Sequence, residues 1–414
     1  MRSNWQQNDA PIGIYTLAQQ IRDGMPRDSA LLTDEQVMKQ CGAAVLAVCA
    51  GKVSYRKMSE MTRLVFCALR CELEILQDLA DDPDVTEIMV NGPDRIFLER
   101  CGKTRQEDLS FETAEHLTRV IQRLAARVGR EMNELHPIVD ARLSDGSRVN
   151  AVHGSIALDG PVLTIRKFNR SRMTMDDLIG QGDISREAAQ LLKKLTAAGY
   201  NIFISGGTSS GKTTFLNILS DYIPQTERVV VIEDSAELQI RGIPNLVRME
   251  ARSANSQGKG AVAIRDLIRT SLRQRPDRVI VGEVRGEEVV DMLAAMSTGH
   301  DGSLSTGHAN SVRGMIGRLE TMHITSSGFP AASVRAQIAE AIDIYVHLAR
   351  TPDGHRRVVE IAESAGIQDG EIVLNPLFIY DPQNGLVSSG SELRSVAKLQ
   401  MRGLYAERKG DEQA

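Results

Sequence analysis

The chain reads as an α/β protein. A mostly parallel sheet with helices on both faces fills its second half, behind a smaller α+β domain and a helical start. Three observations predict this. A β-like run at 202–205 enters a Gly/Ser-rich loop, and a helical segment leaves it. From residue 185 onward strand-like and helical stretches alternate, the pattern of a parallel sheet. Two of those stretches, Val229-Val230-Val231-Ile232 and Val279-Ile280-Val281, are apolar at every position, as strands covered on both faces are. At 414 residues the chain is too long for one ordinary domain, and two or three are expected.

Hydrophobic residues make up 42% and charged residues 25%, the balance of a soluble globular protein. A net charge of −5 argues against a dedicated nucleic-acid coat, which carries a basic face, but leaves room for a local basic channel. The longest nearly apolar run, CGAAVLAVCAG at 41–51, is too short to span a membrane and suits a packed helix. The opening MRSNWQQNDAP lacks the basic-then-apolar order of a secretory signal. The cysteines are Cys41, Cys49, Cys67, Cys71 and Cys101, an odd number that suggests no disulfide framework. Cys67 and Cys71 are four apart on a helical pattern, yet no second pair or nearby histidine completes a metal site, and buried reduced thiols are expected.

Taken in order, residues 1–30 are polar and read as a loosely ordered start. Thr33-Asp34-Glu35-Gln36 is a capping box that opens a helix running to about residue 50. A second helix is expected over 59–79, broken by Asp81-Asp82-Pro83-Asp84. This helical segment, 1–81, carries no chemical motif and reads as scaffold or docking surface. Strands follow at 86–90 and 95–99 around the Asn91-Gly92-Pro93 turn, then a helix over 111–128 with Leu117, Val120, Ile121, Leu124 and Val128 on one face. Strands at 148–152 and 162–166, with an Asp159-Gly160 turn between them, complete a small α+β domain over 82–166. Residues 167–184 are polar and read as a linker. Ser185 caps a helix to residue 198 and Gly199 ends it. The domain over 185–350 then continues with a strand at 227–234, a helix at 265–273, a strand at 278–283, a helix at 287–296 and a strand-like run at 301–310. Strands at 357–362 and 371–380 belong to a C-terminal segment, 351–414, that finishes this domain or lies against it.

The chemistry starts at the loop Gly206-Gly207-Thr208-Ser209-Ser210-Gly211-Lys212-Thr213-Thr214, which matches G-x-x-x-x-G-K-T in its strand-then-helix setting. Small residues let backbone N–H groups curl around phosphate oxygens, and the helix start adds its positive end. Lys212 is expected to reach the β- and γ-phosphates and the Thr213 hydroxyl to hold Mg²⁺. Ligands in such sheets bind beyond the carboxyl ends of the strands. Glu233-Asp234 and Glu283 stand at two of those ends. Glu283 is placed to hold the Mg²⁺ of a nucleotide, often through water, although Asp is the usual residue there; the alternative is an acid that only starts a surface loop. Glu237, three residues past a strand end, is a candidate to orient or deprotonate an attacking water, or else a solvated loop acid. His300 and His308 flank the last strand-like run, and either can sense the γ-phosphate, bind metal or be structural. Arg265, Arg269, Arg273, Arg275 and Arg278 can contact nucleic acid or form a solvated face beside acids; the net charge favours the second.

GGTSSGKTT at 206–214, VVVIEDSAEL at 229–238 and RQRPDRVIVGEVRGEEVVDMLAAMSTGHDGSLSTGHANS at 273–311 together resemble the secretion ATPase superfamily of type II secretion, type IV pilus and type IV secretion motors. VTEIMVNGPDRIFLER at 85–100, HPIVDARLSDGSRVNAV at 136–152 and LTIRKF at 163–168 extend the resemblance, which is nearest to the CpaF-type ATPases of Tad (Flp) pilus assembly and covers roughly 60–380. The resemblance implies a RecA-like P-loop motor domain behind a PAS-like α+β domain. It implies hydrolysis of ATP with Mg²⁺, Glu237 as the catalytic glutamate, Glu283 as the acid of the second nucleotide motif and His308 in a histidine box that links nucleotide state to conformation. It assigns Arg148 and Arg166 to arginines that meet the phosphates when the domains close. It also implies a homo-hexamer at the cytoplasmic face of the inner membrane, peripheral to it, recruited by a polytopic platform protein; separately, the net charge argues against a nucleic-acid partner and the short apolar run against a transmembrane segment. The expected role is assembly of a Tad/Flp-type pilus or a related type II/IV secretion machine; the alternatives are a conjugation or DNA-uptake motor and a scaffold that uses ATP only to close its ring. A small-molecule kinase is disfavoured because no acceptor pocket or lid segment stands out. Ser210 departs from the glycine of many members, and the four-cysteine zinc module of type II secretion members is absent.

Overall fold

A computed structural model describes residues 12–25, 32–100, 102–168, 173–252, 254 and 259–405. Residues 1–11 and 26–30 of the polar start, and Cys101, lie outside the described residues. The chain divides into two compact units, Met1–Ser171 and Arg172–Ala414.

The first unit opens with α1 (Ile14–Gly24), where a loosely ordered start was expected. Ile14, Leu17 and Ala18 fall on one face and are buried, which is enough to dock a short polar helix. Helix α2 (Asp34–Cys49) has the expected capping box, with Thr33 and Gln36 each bonding the other's backbone. Helix α3 (Tyr55–Arg70) starts earlier than expected, capped by Ser54, and stops at Cys71 rather than reaching 79. A short 3₁₀ turn and α4 (Gln77–Asp81) replace its second half. The cause is Glu74, which adopts a left-handed φ of 48°. Its buried carboxylate meets His116 at 2.7 Å and Arg123 at 2.5 Å, and these charged contacts offset the strain.

A six-stranded antiparallel sheet follows, built from β1 (Val85–Asn91), β2 (Ile96–Arg100), β3 (Lys103–Glu107), β4 (Ile138–Arg142), β5 (Arg148–Val152) and β6 (Val162–Arg166) in the order β3-β2-β1-β6-β5-β4. Helix α5 (Ala114–Arg127), capped by Thr113, lies between β3 and β4 in sequence. The edge strands β3 and β4 were not expected. One apolar core runs from Ile14 to Ile165, so the helical front end and the sheet share it. Burial pushes the Cys41 thiol to about 11 and the Cys67 thiol to about 12, as for packing groups rather than reactive ones.

In the second unit the expected linker contains α6 (Met175–Gln181), whose capping box pairs Thr174 with Asp177 and whose Met175 and Leu178 are buried. Helix α7 (Arg186–Ala198) has Ser185 as its N-cap and ends at Gly199, which is left-handed at φ 89°. The remaining elements are β7 (Ile202–Gly206), α8 (Lys212–Ser220), β8 (Val229–Glu233), β9 (Leu246–Glu250), α9 (Ile264–Ser271), β10 (Arg278–Val284), α10 (Glu288–Ser297), β11 (Leu304–His308), α11 (Val312–Ser327), α12 (Ala331–Ala341), β12 (Ile344–Arg350), β13 (Arg356–Gln368), β14 (Glu371–Asp381), β15 (Gly385–Ser388) and α13 (Ala397–Met401).

They form a nine-stranded sheet in the order β15-β14-β13-β12-β7-β11-β10-β8-β9. From β12 to β9 every pair is parallel, and β13, β14 and β15 add an antiparallel extension. Side chains alternate between two cores: Ile202 and Ile204 of β7 enter one and Phe203 the other. Among the described residues no helix is long and apolar enough to cross a membrane.

At the amino ends of the strands, the Asn201 side chain holds three other chain segments. Its amide donates to Met296 O at 3.1 Å and Ala341 O at 2.8 Å, and its carbonyl accepts from Gly302 N at 2.9 Å and Ser303 N at 3.0 Å. Asn201→Ala strands these buried groups, so denaturant unfolding is expected to show a loss of about 3 kcal/mol. A loss below about 1 kcal/mol contradicts this account.

Candidate nucleotide-binding site

The carboxyl ends of β7, β11, β10 and β8 are neighbours in the sheet and share one edge. The loop leaving β7 is shaped by close approach. At Gly206 a Cβ would lie 2.4 Å from Ser210 Oγ and 2.5 Å from the Leu348 carbonyl oxygen. The left-handed positions are Ser209 at φ 57° and Gly211 at φ 96°. Ser210 is not one of them, so the loop does not require a glycine there; its hydroxyl instead donates to Gly207 O at 2.9 Å. Thr208 and Ser209 are exposed, and Thr213 and Thr214 are half-buried in the first turn of α8.

Lys212 is 7% exposed. Its ammonium donates to Gly207 O at 2.8 Å and Gly206 O at 3.2 Å and meets His308 Nδ1 at 3.3 Å. A lysine only donates, so Nδ1 accepts and the imidazole proton sits on Nε2. That nitrogen lies 2.7 Å from Glu283 Oε1. The other Glu283 oxygen pairs with Arg285 at 2.7 Å, and Arg285 also reaches Asp234 at 3.9 Å. Lys212, His308 and Glu283 therefore form one chain of contacts. Burial lowers the Lys212 pKa and the Glu283 charge opposes that shift. Burial and then the Lys212 charge lower the His308 pKa, again with Glu283 opposing.

At the end of β8, Glu233 turns back into the fold. Its Oε1 accepts from Glu237 N at 2.7 Å and Leu238 N at 2.8 Å, which fixes the backbone that carries the half-buried Glu237 side chain. Gly282 leaves space for this carboxylate, since a Cβ there would sit 3.0 Å from Glu233 Cγ. Burial raises the Glu233 pKa, and the two backbone N–H groups pull it down.

Other expected residues lie elsewhere. His300 precedes β11, at the amino end of that strand, where its ring meets Ala295 O at 3.1 Å; it is a helix-end contact, not a phosphate sensor. Arg265 pairs with Glu287 at 2.5 Å and Asp291 at 3.2 Å, and Arg269 with Asp291 at 2.7 Å, so this face is ion-paired. Arg278 is fully buried against Glu227. Arg148 and Arg166 belong to the first unit, directly paired across β5 and β6, and Arg142 of β4 pairs with Arg148 in the same row. The sequence reading does not single out Arg142 or Arg285. The signal for Arg285 is a cation two residues past a strand-end acid.

Residues 71–374 match the model of the family described as type II/IV secretion system protein. The chain belongs to that family. A putative conjugal transfer protein of Mycobacterium tuberculosis is 36% identical over 330 residues, 78% of this chain and 92% of that protein. The type IV secretion system protein PtlH of Bordetella pertussis is 34% identical over 316 residues, 70% of this chain and 93% of its own length. Among solved structures, the pilus retraction motor PilT with bound ADP matches at 20% identity and a TM-score of 0.50, covering 80% of this chain and 88% of PilT. The Legionella pneumophila ATPase DotB matches at 20% identity and a TM-score of 0.50 over 69% and 78%. These two matches show a shared fold.

The His308 contacts set a pH sign. A lowered pKa means the contribution is complete above the ordinary histidine value of 6.5 and is lost as pH falls through the lowered one, when an imidazolium would face the Lys212 ammonium. The ring resonance of His308 is expected to titrate below 6.5, to move up in Lys212→Ala and further down in Glu283→Gln. An unchanged midpoint in both variants contradicts the contact chain.

Proposed function

We propose that the chain is a Mg²⁺-dependent ATP hydrolase that works as a ring of six and powers a type II/IV secretion-class machine, most specifically assembly of a Tad/Flp-type pilus. The observation that carries this reading is the chain Lys212–His308–Glu283 at the phosphate loop. All three Lys212 N–H groups have acceptors, so a γ-phosphate must displace one, and His308 is the longest contact and the only side chain among them. Displacing it breaks a link to Glu283, which couples nucleotide arrival to the β10 and β11 ends.

Glu283 and Thr213 suit Mg²⁺, which prefers hard oxygen donors. Glu283 stands near the end of β10, with Oε1 2.7 Å from His308 Nε2 and its other oxygen paired with Arg285. When bound, Mg²⁺ neutralises charge on the β- and γ-phosphates. Glu237 orients or deprotonates the attacking water, its backbone held by Glu233. Arg148 and Arg166 stabilise the transferred charge. Such arginines contribute about 10³–10⁵ in rate. The antiparallel first unit suits a PAS-like domain. The ring works at the cytoplasmic face of the inner membrane on a platform protein. The ion-paired Arg265 and Arg269 support a partner other than nucleic acid.

A second reading, a conjugation or type IV secretion motor, is favoured by the names of the conjugal transfer and PtlH relatives, which support that branch as well as the pilus one. Strongly salt-dependent DNA binding by the purified protein would favour it.

Lys212→Ala is expected to lower ATP hydrolysis by more than about 10²-fold. Glu237→Gln is expected to bind ATP within a few-fold of wild type and to lose about 10²–10⁴ in kcat. Wild-type turnover in Lys212→Ala sinks the assignment.

A further inference from the structure

Between β8 and β9 the chain runs from Asp234 to Asn245 without helix or strand. Such a stretch has no ladder, so its backbone N–H groups need other acceptors. Here four consecutive ones are met by side chains from three elements. Ala236 N donates to Glu250 Oε1 of β9 at 3.3 Å. Glu237 N and Leu238 N share Glu233 of β8. Gln239 N donates to Asn217 Oδ1 of α8 at 2.8 Å. The Leu238 carbonyl in turn accepts from Arg248 Nη2 of β9 at 2.8 Å. Leu238 and Ile240 are also buried in the core that holds Leu216 and Leu219 of α8. Apolar contact is non-directional, whereas a hydrogen bond weakens steeply off its line. The bonds therefore fix the backbone around Glu237 more narrowly than packing does.

Asn217 is the member of this set that belongs to the helix leaving the phosphate loop. Asparagine is a poor helix former because its amide competes for backbone groups. At 217 the amide oxygen reaches out of the helix instead, to a residue 22 positions on. Asn217 also stands four residues after Thr213, which puts both on one face of α8 about one turn apart. The residue proposed for Mg²⁺ and the residue that grips the Glu237 loop thus share a helix face.

We propose that Asn217 is a positioning residue that ties the Glu237 loop to α8. Glu233 sets the local backbone of Glu237, and Asn217 sets where that backbone stands relative to Lys212 and Thr213. A shift of the α8 start on nucleotide binding is carried to Gln239, two residues past Glu237, through a directional bond. Without the tether the loop keeps its apolar packing but loses its register with the phosphate loop. This inference rests on the ATPase reading for its catalytic consequence, but not for the tether itself.

Two measurements on the full chain test it. Hydrogen exchange of the nucleotide-free protein is expected to quicken about fivefold to tenfold over 237–241 in Asn217→Ala, with β10 unchanged. Asn217→Asp, which keeps the accepting oxygen, is expected to restore slow exchange. In ATP hydrolysis Asn217→Ala is expected to lower kcat about tenfold with KM unchanged, because the loss is one of alignment and not of ATP binding. In a Glu237→Gln background the Asn217→Ala loss is expected to vanish, since the group it positions is already disabled. Unchanged exchange over 237–241, an unchanged kcat, or losses that simply multiply overturns the proposal. If Asn217→Ala lacks a native circular dichroism spectrum, Asn217→Leu, which fills a similar volume without the oxygen, carries the same readouts. If the wild-type protein does not hydrolyse ATP, the functional reading fails while the exchange measurement still decides the tether.

Discussion

The loop edge of the sheet depends on one buried ammonium with three acceptors. A lysine charge placed out of water is costly unless its protons are matched. Here two loop carbonyls turn inward for Lys212, and His308 supplies the third acceptor. The loop carbonyls are available only because Gly206 leaves no side chain where Ser210 and Leu348 close in. The histidine is available only because β11 lies beside β7, in register from Leu304–Ile202 to His308–Gly206. The third partner, a side chain, is the one that the proposed function exchanges for a phosphate oxygen. The same geometry that matches the ammonium's protons therefore sets what the proposed nucleotide would displace.

The sheet explains why these groups converge. Its central strands are buried on both faces, so polar residues gather where the strands end. Glu233 shows the limit of that rule. It turns inward, displaces no apolar packing because Gly282 makes room, and spends both hydrogen bonds of one oxygen on the backbone that carries Glu237. An acid at a strand end has become the support for another acid four residues on.

Much of this was legible in the sequence, for local reasons. The loop at 206–214 has a spacing that strand, turn and helix chemistry all require. The caps at Thr33 and Ser185 work within a few residues of themselves. Strand β8 is apolar up to its last residue, and β10 carries the apolar run Val279-Ile280-Val281. Edge strands gave no such signal: Lys103–Glu107 is polar throughout and mostly exposed, and Leu246–Glu250 lacks a fully buried position. The break after α3 depends on His116 and Arg123, more than forty residues from Glu74, and no local pattern announces it. The stretch 312–350 holds two helices and a strand that the sequence reading does not single out. In the site, Lys212 was visible from its motif. The role of Glu233 as a loop brace was not, because its inward turn uses the room that Gly282 of a neighbouring strand leaves.

The antiparallel extension beyond β12 has a mechanical meaning. Strand β7 is neither an edge nor next to one: β12 covers one side of it, with β13 to β15 beyond, and β11 covers the other. Force applied along β7 must slide it past both neighbours, which strains all of their ladder bonds together instead of opening them one after another. The element that holds the phosphate loop is thus stiff in tension. Displacement produced at the loop is passed to the strands on either side rather than absorbed by the strand itself.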